Sequence, residues 1–236
     1  MILPTLLVIF SGAFQQAITG FGFGVFAISL LPLFMQMRQA TALLSVLSVA
    51  MNLRLAIQYR RNVDWKLMLP VIFAGFIGQT ISINFLFTLE EGVLKKLLGI
   101  LLIAFAIFFA YFRQRLKCRQ RLSTSLIIGF LSGLLNTFNI GGPPTVFYYY
   151  MVTKDKESYL ACLQYTFLIT SLYGMALHIY RGNITVETLQ YSLLGLLVIL
   201  PAAWLGGKLF KYCSQEKVGT LVYGSIALLG VMQFVI

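Results

Sequence analysis

The chain has 236 residues, 59% hydrophobic and only 11% charged, with a net charge of +11 and a mean hydropathy of +0.86. A soluble domain keeps about a quarter of its residues charged to solvate its surface, so these proportions exclude a water-soluble globule. Lys and Arg stand between the apolar blocks, the pattern of topology signals and not of a nucleic-acid-binding face.

The sequence predicts an all-α polytopic membrane protein. Apolar blocks run over 2–34, 38–58, 66–88, 92–112, 122–151, 157–180, 186–210 and 217–236. Six of them have the roughly 20-residue length that crosses a hydrocarbon core as a helix. Blocks 2–34 and 122–151 are too long, since straight helices of that size would run roughly 45–50 Å against a core of about 30 Å. Each is interrupted near its middle, the first by Gly20-Phe21-Gly22-Phe23-Gly24 and the second by Gly141-Gly142-Pro143-Pro144. Met1-Ile2-Leu3-Pro4 is uncharged and the first basic residue is Arg38, so no cleaved signal peptide is expected.

The two halves repeat. A shift of 121 residues pairs Ser11 with Ser132, Gly12 with Gly133, Gly20 with Gly141, Tyr59 with Tyr180, Arg60 with Arg181 and Asn62 with Asn183. A shift of 125 then pairs Glu91 with Glu216, Val93 with Val218 and Gly99 with Gly224. This reads as a duplication: an N-terminal repeat over 1–112, a basic loop over 113–121 and a C-terminal repeat over 122–236.

Two topologies follow. Eight single crossings in a 4+4 arrangement divide the basic residues ten to eight across the membrane. If 2–34 and 122–151 are instead broken or re-entrant hairpins, each half has three spans and the halves are inverted. Arg54, Arg60, Arg61, Lys66, Arg113 to Arg121, Lys154, Lys156, Lys208, Lys211 and Lys217 then share a face, fourteen against four. The positive-inside rule prefers the second count, with the 113–121 loop cytoplasmic and both termini outside. Inverted repeats with broken helices are a recurrent transporter design.

Irregular backbone at membrane depth must be buried in protein or line a polar cavity. Pro143-Pro144 suits the first turn of a half-helix, and Gly24 is expected to open the equivalent one. Two half-helix N-termini then offer free N–H groups and partial positive charge to an anion. Gln15, Gln16 and Thr19 precede the first break, and Asn136, Thr137 and Asn139 the second. These neutral donors suit a small oxyanion, or they satisfy freed backbone and join helices. With Gly20, Gly22, Gly24, Gly141, Gly142 and Pro143 they form the candidate substrate site. Asn52 and Gln164, both mid-block, either line the same cavity or make interhelical hydrogen bonds.

The groups that are missing matter as well. All seven acidic residues fall at block ends or in loops, so no mid-membrane carboxylate serves a cation. The single histidine, His178, sits near a helix end beside Tyr180 and Arg181 and reads as an interfacial residue in preference to a proton relay. Tyr148, Tyr149 and Tyr150 read as part of an interfacial aromatic belt, or one of them lines the cavity. Cys118, Cys162 and Cys213 show no metal-ligand or disulfide spacing. No catalytic residue, metal or cofactor is indicated.

The chain resembles the TauE/SafE family of sulfite exporters, also called the 4-toluene sulfonate uptake permeases. The resemblance rests on Thr19-Gly-Phe-Gly-Phe-Gly24 after a Ser-Gly helix start, on Pro32, on Arg38-Gln39-Ala40, on Ser132-Gly133 and on Asn139-Ile-Gly-Gly-Pro-Pro144. Many members carry Gly-x-Gly-Gly-Gly at the first break, where this chain has bulkier Phe21 and Phe23. The resemblance implies export of sulfur-containing anions, such as sulfite or organosulfonates, across a bacterial cytoplasmic membrane. The expected partners are a small anion and the lipid bilayer. An anion channel and a membrane scaffold subunit are the alternatives.

Overall fold

The computed structural model describes residues 2–111 and 120–210, apart from the side chains of residues 19, 105–106, 108–111, 207 and 209–210. Among the described residues the order is α1 (Ile2–Thr19), α2 (Phe23–Leu30, followed by a 3-10 turn at Leu31–Leu33), α3 (Met37–Gln58), α4 (Trp65–Thr88), α5 (Glu91–Tyr111), α6 (Leu122–Asn136), α7 (Gly142–Val152), α8 (Lys156–Tyr180) and α9 (Val186–Phe210). No strand occurs among them. The apolar block at 217–236 and the basic residues Arg113 to Arg119 lie outside the described residues.

Among the described residues four stretches are long and apolar enough to cross a bilayer: Met37–Gln58, Trp65–Thr88, Lys156–Tyr180 and Val186–Gly206. Helix α4 shows why such a helix belongs in lipid. Leu69, Phe73, Ile77, Ile81 and Phe85 recur every fourth residue and are all exposed, while Gly75, Gly78, Gln79 and Ser82 are buried on the other side. The buried side also holds Leu67, Met68, Val71, Ile72, Ile83 and Leu86, so the helix is apolar all round with Gln79 and Ser82 turned inward, which is stable when the solvent is hydrocarbon.

The chain forms two compact units that interleave in sequence: residues 1–44, 89–116 and 184–236 in the first, residues 45–88 and 117–183 in the second. In the first unit α1 folds back on α2, with Gly12 against Phe23 and Phe26, and α1 also packs on α9 at Gly206.

In the second unit the contacts set every helix direction. Gly129 of α6 meets Val71 of α4, Gly133 meets Gly75, and Thr137 meets Ser82, so α4 and α6 run parallel. Trp65 with Tyr165, Phe76 with Tyr173 and Asn84 with Arg181 make α4 and α8 parallel too. Helix α7 turns back along α6, since Ser132 pairs with Thr145 at 2.6 Å and Ser125 with Tyr148 at 2.6 Å. Block 122–151 is therefore a hairpin that returns to the end where it entered. That end carries Arg60, Arg61, Lys66, Arg121, Lys154 and Lys156, with Asn62 bonded to Glu157 at 3.2 Å. Arg181 stands at the other end, bonded to Asn84.

Candidate functional site

The two breaks are built differently. Between α1 and α2 the chain turns through Gly20 at φ 83° and Gly22 at φ 109°, values that favour glycine. Gly22 is the N-cap of α2, so the helix opens at Phe23 and Gly24 lies inside it. The expectation that Gly24 starts this half-helix is corrected: left-handed Gly22 reverses the chain two residues earlier, and Gln16 Oε1 accepts the Phe23 N–H at 3.2 Å. Gln16 thus caps α2, satisfying backbone freed by the break. Gln15 packs beside Gly22, whose Cβ, if present, would lie 3.0 Å from Gln15 Nε2. The side chain of Thr19 lies outside the described residues.

At the second break Gly141 has an ordinary φ of −70°. What it requires is space, because a Cβ there would sit 2.4 Å from the Ser132 carbonyl oxygen. The left-handed residue is Asn139, at φ 56°. The Asn139 N–H bonds to Asn136 O at 2.9 Å and the Ile140 N–H to Leu135 O at 3.2 Å, the paired bonds of a Schellman helix end. Asn139 therefore terminates α6. Gly142 is the first residue of α7, with Pro143 and Pro144 following in its first turn. The prolines have no N–H, so the backbone donors at this N-terminus come from the glycines, and the hydroxyl and amide side chains carry more of the work.

Those side chains meet in a pocket wholly inside the second unit. Helix α6 contributes Gly129, Ser132, Gly133 and Asn136; α7 and its cap contribute Gly141 and Thr145; α8 contributes Thr166, Phe167 and Thr170; α4 closes it with Val71 and Gly75. The pocket has room for about one water. All four lining hydroxyls are occupied: Ser132 and Thr145 bond each other, Thr166 bonds Tyr149 OH at 2.7 Å, and Thr170 donates to Thr166 O at 2.8 Å. Asn136 lines the same space, and its side chain makes no hydrogen bond to the described residues.

The remaining candidates sit as follows. Thr137 is buried and bonds Ser82. Asn52 donates to Ser171 Oγ at 3.2 Å, an interhelical bond. Gln164 is fully buried in α8. One expectation is corrected. Tyr148 and Tyr149 are fully buried while Tyr150 is exposed, because the first two hydroxyls find Ser125 and Thr166 inside the unit. His178, near the end of α8, is 2% exposed, since Asn183 folds back through the Schellman turn at Gly182 to bond its Nδ1 at 2.9 Å.

Gln79, Ser82, Ser132, Thr145, Thr166 and Thr170 surround the break and were not singled out by sequence. Single Ser and Thr residues inside apolar helices carry little pattern. The clue was Gly129-x-x-x-Gly133 on α6 with Gly75-x-x-Gly78-Gln79 on α4, a small-residue seam that brings neighbouring polar groups together.

The model of the sulfite exporter TauE/SafE family matches residues 5–232. No curated protein and no solved structure matches the chain. A match over nearly the whole length, on a set of helices made for lipid, identifies a multi-pass membrane protein: the chain belongs to the TauE/SafE family of sulfite exporters.

Proposed function

We propose that the protein is a secondary transporter that exports a small sulfur oxyanion, sulfite or an organosulfonate, across the bacterial cytoplasmic membrane. The anion is held at the α6–α7 break. The observation that carries this reading is Asn136, which lines the pocket with Gly141 and Thr145 and whose side chain makes no hydrogen bond to the described residues. Amide and hydroxyl donors at the start of a half-helix bind an oxyanion without the desolvation cost of a buried Arg. The α1–α2 break, with Gln15, Gln16 and the turn glycines, supplies the matching element of the other repeat. Export as the direction follows the family.

The inverted repeat belongs to the same proposal. The order of two short helices followed by long ones recurs in the second half, and each hairpin's first helix packs on the second long helix of the other half, α1 on α9 and α6 on α4. The fourteen-to-four division of Lys and Arg fits halves that are inverted. The pocket admits about one water, so loading an anion requires its own walls within the second unit to move apart.

The test is counterflow in liposomes. Purified protein should exchange labelled sulfite for unlabelled sulfite, saturably, and Asn136→Leu should abolish exchange while leaving the protein folded. Unsaturable flux without exchange would make it a channel. Undiminished exchange in Asn136→Leu would remove the site.

A further inference from the structure

Gln79, near the middle of α4, is 3% exposed, and its side-chain Oε1 has no hydrogen-bond partner among the described residues. A buried acceptor left without a donor is costly enough that native structures nearly always satisfy it. The adjacent donors are committed elsewhere. Ser82 Oγ donates to the Gln79 main-chain O at 3.3 Å, Thr137 Oγ1 approaches that same carbonyl at 3.5 Å, and the two hydroxyls bond each other. No Lys, Arg or acidic residue lies within α4 between Lys66 and its last residue, Thr88. Thr137 is the first residue of the α6–α7 break, and Gly75, one turn before Gln79, lines the pocket there. Gln79 does not itself line that pocket: it stands one turn along α4 from Gly75 and against Gly174, one turn along α8 from Thr170, so its oxygen lies just beyond the pocket's end.

Gln79 also has a dedicated space. A Cβ on Gly174 of α8 would lie 2.4 Å from Gln79 Nε2, so the glycine leaves room for the carboxamide in its present position.

We propose that Gln79 is a specificity-determining residue: its Oε1 accepts a hydrogen bond from a donor carried by the transported anion. The substrate is then an oxyanion with its own O–H or N–H, such as hydrogen sulfite or a hydroxy- or amino-alkanesulfonate, in preference to a plain alkanesulfonate. This rests on the anion reading above and adds a selection rule to it. A site built to hydrogen-bond a substrate group rejects the analogue lacking it more strongly than an apolar pocket rejects an extra group.

The probes are 2-hydroxyethanesulfonate and ethanesulfonate, which differ by one hydroxyl, titrated against the full chain by thermal shift and by inhibition of sulfite counterflow. The wild type should bind the hydroxylated compound about 5- to 100-fold more tightly, the range of one buried hydrogen bond made or missed. Gln79→Met should bring the two within about twofold, chiefly by weakening the hydroxylated one. Gly174→Ala, which displaces the carboxamide without altering its chemistry, should narrow the gap in the same direction and serves if Gln79→Met does not fold. Equal binding of both probes by the wild type would overturn the proposal and leave Gln79 to a fixed water. Discrimination that survives both substitutions would overturn it as well. A wild type that binds neither probe nor sulfite would instead remove the anion reading, and the selection rule with it.

Discussion

A methyl group on Gly133 of α6 would stand 2.1 Å from the carbonyl oxygen of Gly75 on α4. The same seam holds Gly129 against Val71 and Gly78 against Phe130 O, where added Cβ atoms would lie at 2.2 and 2.3 Å. Backbone cannot rotate aside as a side chain can, so the hairpin's first helix is locked to α4. Gly133→Ala should therefore cost about 1–3 kcal/mol, towards the upper end, by overpacking. Thermal unfolding in detergent measures it. Gly92→Ala in α5, where nothing lies within 4 Å, is the control and should be neutral or slightly stabilising. Equal effects at both positions would mean that the seam does not bear on stability.

Asn139 separates a helix-ending role from a ligand role. With its φ at 56°, Asn139→Gly keeps the Schellman turn, so stability and sulfite exchange should both stay near wild type. Asn139→Val, β-branched and disfavoured at positive φ, should destabilise by about 1–3 kcal/mol. Loss of exchange in a well-folded Asn139→Gly protein would return the side chain to the binding site.

The direction of the α6–α7 hairpin sets a labelling pattern. In a background lacking Cys118, Cys162 and Cys213, single cysteines replacing Arg60 and Lys154 should react with an impermeant maleimide only after the membrane is permeabilised. A cysteine replacing Arg181 should react in intact cells. Labelling of all three from one side would exclude the arrangement in which the Arg60 end faces the cytoplasm.

Asp155 caps α8, accepting the Ser158 N–H at 2.8 Å and the Ser158 hydroxyl at 2.9 Å. These bonds, the backbone one foremost, hold its carboxyl below the ordinary range. A folded-state pKa below the unfolded one stabilises above the unfolded value, and that contribution is lost as pH falls through the depressed folded value. Asp155→Ala should lower the melting temperature at neutral pH, and its difference from wild type should shrink on acidification. Asp155→Asn keeps an acceptor at every pH and should flatten that acid limb. A gap between Asp155→Ala and wild type that does not change with pH would count against the ionised cap.

Composition and block length alone determined that this chain lives in lipid, because an apolar surface of this extent has no stable place in water. They also located both helix breaks, since glycine and proline clusters within over-long apolar blocks restrict the backbone wherever they occur. Which residue performs each task at those breaks was decided by tertiary structure. Gly22 and not Gly24 caps α2, Asn139 ends α6, and Tyr148 and Tyr149 turn inward to Ser125 and Thr166. None of these could be read along the chain, because each depends on an angle or a partner set by a helix folded back upon its neighbour. Gln79 is the clearest case. One amide in an apolar helix is unremarkable in sequence, and only the close approach of α4, α6 and α8 commits the nearby hydroxyls to other acceptors and leaves its oxygen wanting a donor.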